Sequence, residues 1–241
     1  MTAVPGGPAT HAGRVPVSVA FCPAPPLLLP AVEGKAAAET TELRRACAAA
    51  VAEMLAGRPE TVAVVGEGLG PGTRVRAGDV GSLHGFGLHP DVPFAGPPRS
   101  GGSAVPLPHS LGAWLLDAAG FGGERVGVGP SDLAALVRDA PARLGILAMG
   151  DGSARRTLKA PGYLDDDAGP FDATVARAMA AGDAAALAAL DPDRGARLLA
   201  AGVPTWRAVG EALAGREVTA RLHYDAAPFG VGYLVADWVA P

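Results

Sequence analysis

Short apolar runs alternate along the chain with stretches whose apolar positions recur every three or four residues. The run RVPVSVAFC (14–22) is rich in Val and bounded by proline, which predicts a strand. PAPPLLLP follows, and its prolines cannot donate to a ladder, so it reads as a rigid connector. From 35 to 56, Leu43, Cys47, Val51 and Leu55 fall at four-residue spacing and predict a helix stopped by Gly57. TVAVVG (61–66), RVGVG (125–129) and RLGILAM (143–149) predict three more strands. Helices are predicted over 110–120, with Ser110 as N-cap and Gly120 as stop, and over 131–140, capped by Ser131. Four more follow near 171–181, 183–190, 192–201 and 205–214. Two closing strands, 216–226 and 231–239, flank the turn-like APFG and can pair antiparallel. Strands alternating with helices predict a single α/β domain over 14–241, with a central mixed sheet flanked by helices and a flexible tail at 1–13.

A Gly- and Pro-rich stretch, 67–108, interrupts this rhythm. A loop of that length without structure is unusual unless it is functional or disordered. Val75, Val80, Leu83, Phe86 and Leu88 favour burial, so parts of it are expected to be ordered. A lid, an interface and a disordered segment all remain open for it.

Composition narrows the classes. The 241 residues are 49% hydrophobic, enough for a sizeable core. A formal net charge of −4 and only 5% aromatic residues disfavour nucleic acid and anionic membrane as partners. The bases are 18 Arg and two Lys, a bias that goes with the abundant Ala, Gly and Pro, so Arg count alone carries no functional weight. Cys22 and Cys47 form no C-x-x-C pattern, which argues against a disulfide framework or a thiolate zinc site and fits a reducing cytoplasm. The start, MTAVPGGPATHAGR, lacks a basic segment followed by an apolar core, and PPLLLPAV is too short to cross a bilayer. A cytoplasmic protein with no membrane contact is expected.

The charged segment MGDGSARRTLKAPGYLDDDAGPFD (149–172) begins where an apolar strand ends. In α/β sheets ligands gather beyond the carboxyl ends of strands. Gly150 and Gly152 permit close backbone approach and positive φ. Asp151 and Ser153 stand at the turn, and Ser153 with free N–H groups can cradle an anion. Arg155, Arg156 and Lys159 can neutralise it, and Tyr163 can stack on or bond to a ligand. One reading is a pocket for a carboxylate or phosphate on a small molecule. The other is that Asp151 and Asp165–Asp167 pair with the bases and pin the loop.

FCPAPPLLLPAV after the first strand, VAVVG before a glycine-rich loop, GDGSARRTLKAPGYLDDDAGPFD and the closing DAAPFGVGYLVADW together resemble the class III extradiol dioxygenase superfamily. The likeness is to its B-subunit-like branch of uncharacterised actinobacterial proteins, and it spans nearly all of the chain beyond residue 14. It implies that α/β fold and, in working members, ring cleavage of catechols by O₂ on a non-haem Fe(II) held by two His and one carboxylate. It also implies a His acting as acid and base. This chain departs from that pattern. Ala24 stands at the place of the first His, Glu67-Gly68-Leu69 follow Gly66 at the place of the second, and Ala154 replaces the acid/base His. A methyl group neither ligates iron nor carries a proton.

Glu67, His84 and His89 can form a replacement site suited to iron or zinc; the plainer reading is that the loop histidines are solvated or bonded to backbone. The cofactor expectation is therefore none, or Fe(II). His223 reads as a strand residue satisfied by a neighbour, Cys22 as a buried structural thiol, and Arg194 and Arg197 as a solvated helical face. GEGLGPG lacks G-K-[ST], and GDGSA lacks the second glycine of a hydrolase elbow. The expectation is a superfamily member with a degenerate iron site that binds a small aromatic or anionic molecule in a cleft at the strand ends. Whether it is an enzyme is left open. The alternative is a non-catalytic ligand- or partner-binding protein on the same scaffold, and a homodimer fits either.

Overall fold

A computed structural model describes residues 15–33, 37–89, 91–140 and 142–241, so the expected tail at 1–13, with His11, lies outside the described residues. In chain order the elements are β1 (Val17–Cys22), α1 (Pro30–Glu33), α2 (Ala37–Ala56), β2 (Thr61–Val65), β3 (Arg74–Val75), β4 (Val80–Gly81) and β5 (Val92–Pro93). Then come α3 (Leu107–Ala118), β6 (Glu124–Val128), α4 (Leu133–Arg138), β7 (Leu144–Met149), α5 (Ala168–Ala181) and α6 (Ala184–Ala188). The chain closes with α7 (Pro192–Arg197), α8 (Val203–Ala212), β8 (Thr219–Ala226) and β9 (Tyr233–Ala240).

Seven strands form one mixed sheet in the order β3-β6-β2-β7-β1-β9-β8. Its centre, β6, β2, β7 and β1, is parallel; β3 on one side and β9 and β8 on the other run antiparallel to their neighbours. A parallel sheet is covered on both faces and therefore reads as continuous apolar sequence. VSVAFC and LGILAM are buried at every position. Alternate side chains feed opposite layers. Val19, Phe21 and Ile146 pack with Phe171, Trp206 and Trp238 under α5 to α8. Ala20, Val64 and Leu147 pack with Leu43, Val51 and Leu111 under α2 and α3. Trp238 is anchored by donating from Nε1 to the Met179 carbonyl at 2.7 Å and meets Phe21 edge-on at 5.0 Å.

Two predicted caps fail. Pro106, not Ser110, precedes α3, because prolines at the start of a helix are pre-set for it; Ser110 sits inside and donates to the Pro106 carbonyl. Ser131 lies in a 3₁₀ turn (130–132) opened by Pro130, and α4 starts after it. The side-chain caps of the later helices are Asp183, bonded to the Ala186 N–H, and Asp191, bonded to those of Asp193 and Arg194. The helix expected over 192–201 stops at Arg197, and Leu199 then takes a left-handed φ of 54°.

The 67–106 stretch is ordered in its described residues and includes a second, two-stranded sheet of β4 and β5. The buried Asp79 carboxylate organises it, accepting from the N–H groups of Arg76 and Ser103 and from the Arg99 guanidinium. Val75 and Leu83 are buried, whereas Phe86 is 44% exposed, against expectation, because it sits in a surface 3₁₀ turn. Among the described residues, no helix is long and apolar enough to cross a membrane.

Candidate functional site

The carboxyl ends of β1, β2 and β7 meet at one edge of the sheet. They deliver Ala24, Glu67 and Asp151 there. Asp151 Oδ1 accepts from the Ala24 N–H at 2.7 Å, and the Asp151 carbonyl accepts from the Gly202 N–H at 2.7 Å. Desolvation of the Asp151 carboxyl pushes its pKa up to about 6, with the Ala24 N–H pulling the other way. The adjacent Tyr233 phenol is raised by its own burial and by the Asp151 charge. Desolvation also raises Glu67.

The glycines here serve close packing. A Cβ on Gly150 would lie 2.4 Å from Gly202 Cα, and one on Gly152 would lie 2.9 Å from both the Gly232 carbonyl and Asp172 Oδ1. Neither glycine uses the positive φ that the sequence allowed.

Between the end of β2 and the α7–α8 connection lies a cleft of about 320 Å³, lined by Glu67, Leu199, Ala200, Ala201, Val203 and Pro204 among others. Among the described residues, Glu67 is the only charged one lining it, against an apolar wall. The Gly202 bond to Asp151 ties this wall to β7.

The charged segment is largely self-neutralised. Asp172, buried on α5, accepts from the Ser153 N–H at 2.9 Å and from Arg156 Nη1 at 2.8 Å. Desolvation outweighs those bonds and leaves the Asp172 carboxyl raised. Ser153 Oγ donates to the Leu198 carbonyl at 2.8 Å. Arg155 donates from Nε to the Gly162 carbonyl at 2.7 Å and from Nη1 to that of Arg197 at 3.2 Å, 3.5 Å from Asp165. Arg197 bridges Asp165 and Asp167 at 2.6 Å each, and Arg194 pairs with Asp167. Of the acids in the loop-pinning reading, Asp165 meets the loop's own Arg155, Asp167 pairs instead with Arg194 and Arg197 of α7, and Asp151 pairs with backbone. Ser153, Arg155 and Arg156 are brought together, but as a network rather than an open cradle. Lys159 and Tyr163 stand at the surface, with Tyr163 73% exposed at φ 59°.

The proposed replacement metal set does not assemble. His84 and His89 do meet, with ring centroids 4.0 Å apart, and His84 Nε2 lies 3.0 Å from Asp91 Oδ1. Glu67 faces the cleft instead, because it leaves β2 while the histidines sit in the β4–β5 connection. Among the described residues, no three His, Cys, Asp or Glu side chains are grouped to hold a metal ion.

Sequence reasoning missed Asp172 and the pairing of Arg194 and Arg197 with the loop acids, although Arg197 is exposed as expected of a solvated face. A signal was present: Asp172 lies beside Phe171 and one turn before Val175, on the buried face of α5. His109 was also passed over. It is fully buried, its Nε2–H donates to the Val128 carbonyl at 3.0 Å, its Nδ1 has no partner among the described residues, and burial lowers its pKa. His223 pairs with Asp237 across β8 and β9. Cys22 is buried, and its thiol is held well above the usual range by a hydrogen bond with Cys47 and by burial.

Fold and site define an α/β protein whose mixed sheet carries a small apolar cleft, with one acid, at the carboxyl edge of its parallel strands. No protein-family model matches the chain, and no curated protein matches it significantly.

Proposed function

We propose that the protein uses an extradiol dioxygenase-like scaffold to bind a small aromatic molecule in the cleft between the end of β2 and the α7–α8 connection, without ring cleavage. The observation that carries this reading is the cleft lined by apolar side chains and the single carboxyl of Glu67. Such a surface suits an apolar ring bearing a hydroxyl that donates to Glu67. It does not suit an anion, because Glu67 repels one and because Arg155 and Arg156 already bond to Asp165 and Asp172. Of the two ligand classes expected from the sequence, the aromatic one is therefore retained.

The iron that the resemblance implies does not fit the donors present. Two imidazoles and a carboxylate are required. The strand ends supply Glu67 and Asp151, with methyl groups at Ala24 and Ala154 and no imidazole among them.

Titration with phenol and catechol, followed by protein NMR and calorimetry, tests the proposal. Saturable binding is expected, about tenfold weaker in Glu67→Gln through loss of a charged acceptor and abolished in Leu199→Arg. Catechol with added Fe(II) is expected to give no O₂ uptake. Absence of saturable binding, or ring cleavage in the presence of Fe(II), overturns it.

A second reading, pairing with another copy of the chain, draws on the exposed side chains of Leu158, Tyr163, Leu164 and Leu199. Leu199 packs on Gly162, next to Tyr163. Sedimentation over a hundredfold concentration range tests it, with a monomer throughout as the opposing result.

A further inference from the structure

A second cavity, of about 790 Å³, opens at the opposite edge of the sheet, where Thr61, Glu124 and Leu144 begin β2, β6 and β7. That volume is in the range of small-molecule sites. The topology creates it. β3 pairs with β6 only at Gly127 and Val128, so Glu124–Val126 have no strand on their outer side among the described residues. The gap is walled by Ala77, Ala95, Val126, Ala135 and Leu136, and Arg74, Arg76 and Arg125 line it.

Three guanidiniums, Arg74, Arg76 and Arg125, and two carboxylates, Glu124 and Asp139, line it. Arg74 is paired with Asp132 at 2.6 Å, and Asp139, on the lining, with Arg138 at 3.2 Å. Glu124 is exposed and accepts from Thr61 Oγ1 at 3.4 Å. Arg125 is 6% exposed; its terminal nitrogens serve Asp117 and the carbonyls of Phe94, Ala113 and Phe121, but its buried Nε–H has no acceptor among the described residues. The Arg76 guanidinium has no bonding partner among the described residues, and only its backbone N–H is engaged, by Asp79. A buried donor without an acceptor is unfavourable, and a carboxylate is its strongest complement.

We propose that this cavity binds a small monocarboxylate with an apolar body, its charge drawn to Arg76 and Arg125 and its body lying on Ala95, Val126 and Leu136. This rests on a different cavity from the aromatic cleft and stands independently of it.

Calorimetric titration of the full chain with octanoate, octanol and octylamine tests the assignment. Octanoate is expected to bind saturably and at least tenfold more tightly than either neutral or cationic analogue. Arg76→Ala is expected to weaken octanoate binding at least fivefold, and Ala77→Trp, at an exposed wall position, to abolish it. Leu199→Arg, which blocks the other cleft, is expected to leave it unchanged. No saturable octanoate binding, equal binding of octanol or octylamine, or binding insensitive to both Arg76→Ala and Ala77→Trp overturns the proposal.

Discussion

Arg155 and Arg156 leave the carboxyl end of β7, and Arg74 and Arg76 begin and follow the two-residue β3 beside β6, yet their surroundings differ. At the carboxyl edge, Asp165 and Asp172 were placed within the same segment and helix, and they engage Arg155 and Arg156. Beside β3, Asp132 answers Arg74, but no acid answers Arg76 among the described residues. The sequence looks equally basic in both places. What differs is whether an acceptor is built into the fold beside each guanidinium. A run of arginines is therefore read correctly only together with the acids on the buried faces that pack against it.

The largest expected effect lies in the neutralised region. Asp172→Ala leaves the Ser153 N–H and the Arg156 guanidinium without their acceptor, and a loss of about 3 kcal/mol of unfolding free energy is expected by urea titration. A loss below about 1 kcal/mol would erase the contrast, placing the network with ordinary surface pairs.

Next comes Asp151. Its folded pKa, raised to about 6 by burial, means that the folded chain holds this proton more tightly than the unfolded one. Its contribution to stability is thus greatest below the unfolded pKa and falls away as pH rises toward and through 6. Asp151→Asn keeps an acceptor for the Ala24 N–H and is expected to stabilise the protein by about 2 kcal/mol at pH 7.5, with no gain at pH 4. An equal gain at both pH values would remove the titration as its cause.

Leu199→Gly relieves a left-handed backbone at a side chain that is half exposed. A gain of about 0.5–1 kcal/mol is expected in thermal unfolding. The smallest effect sharpens the other side of the comparison: Arg76→Ala is expected to change stability by less than about 0.5 kcal/mol, because its guanidinium has no hydrogen bond or ion pair to lose among the described residues. A larger loss would mean that Arg76 is structural.

Much of this architecture is legible in the chain. The runs 61–66, 125–129 and 143–149 became parallel strands within a residue or two, because short, largely apolar runs suit the parallel centre of a sheet. Helix starts were read less well. Ser110 and Ser131 look like caps, but neighbouring prolines set both starts, and local sequence does not reveal which signal wins. In the site, the position of the charged segment beyond β7 was legible and its internal pairing was not. Asp172 and Arg197 are separated from Arg156 and Asp165 by 16 and 32 residues, so only tertiary packing brings them together. The β6 edge left open by a two-residue β3 had no sequence signature at all.

The contact of Gly150 with Gly202 bears on kinetics. With room for no more than a hydrogen between the two backbones, the first turn of α8 is seated directly on the strand beneath it. That side of the cleft has no slack to swing outward as a door. A guest then enters and leaves through the existing mouth, and its arrival rate should follow solvent viscosity and collision frequency rather than an opening step of the protein.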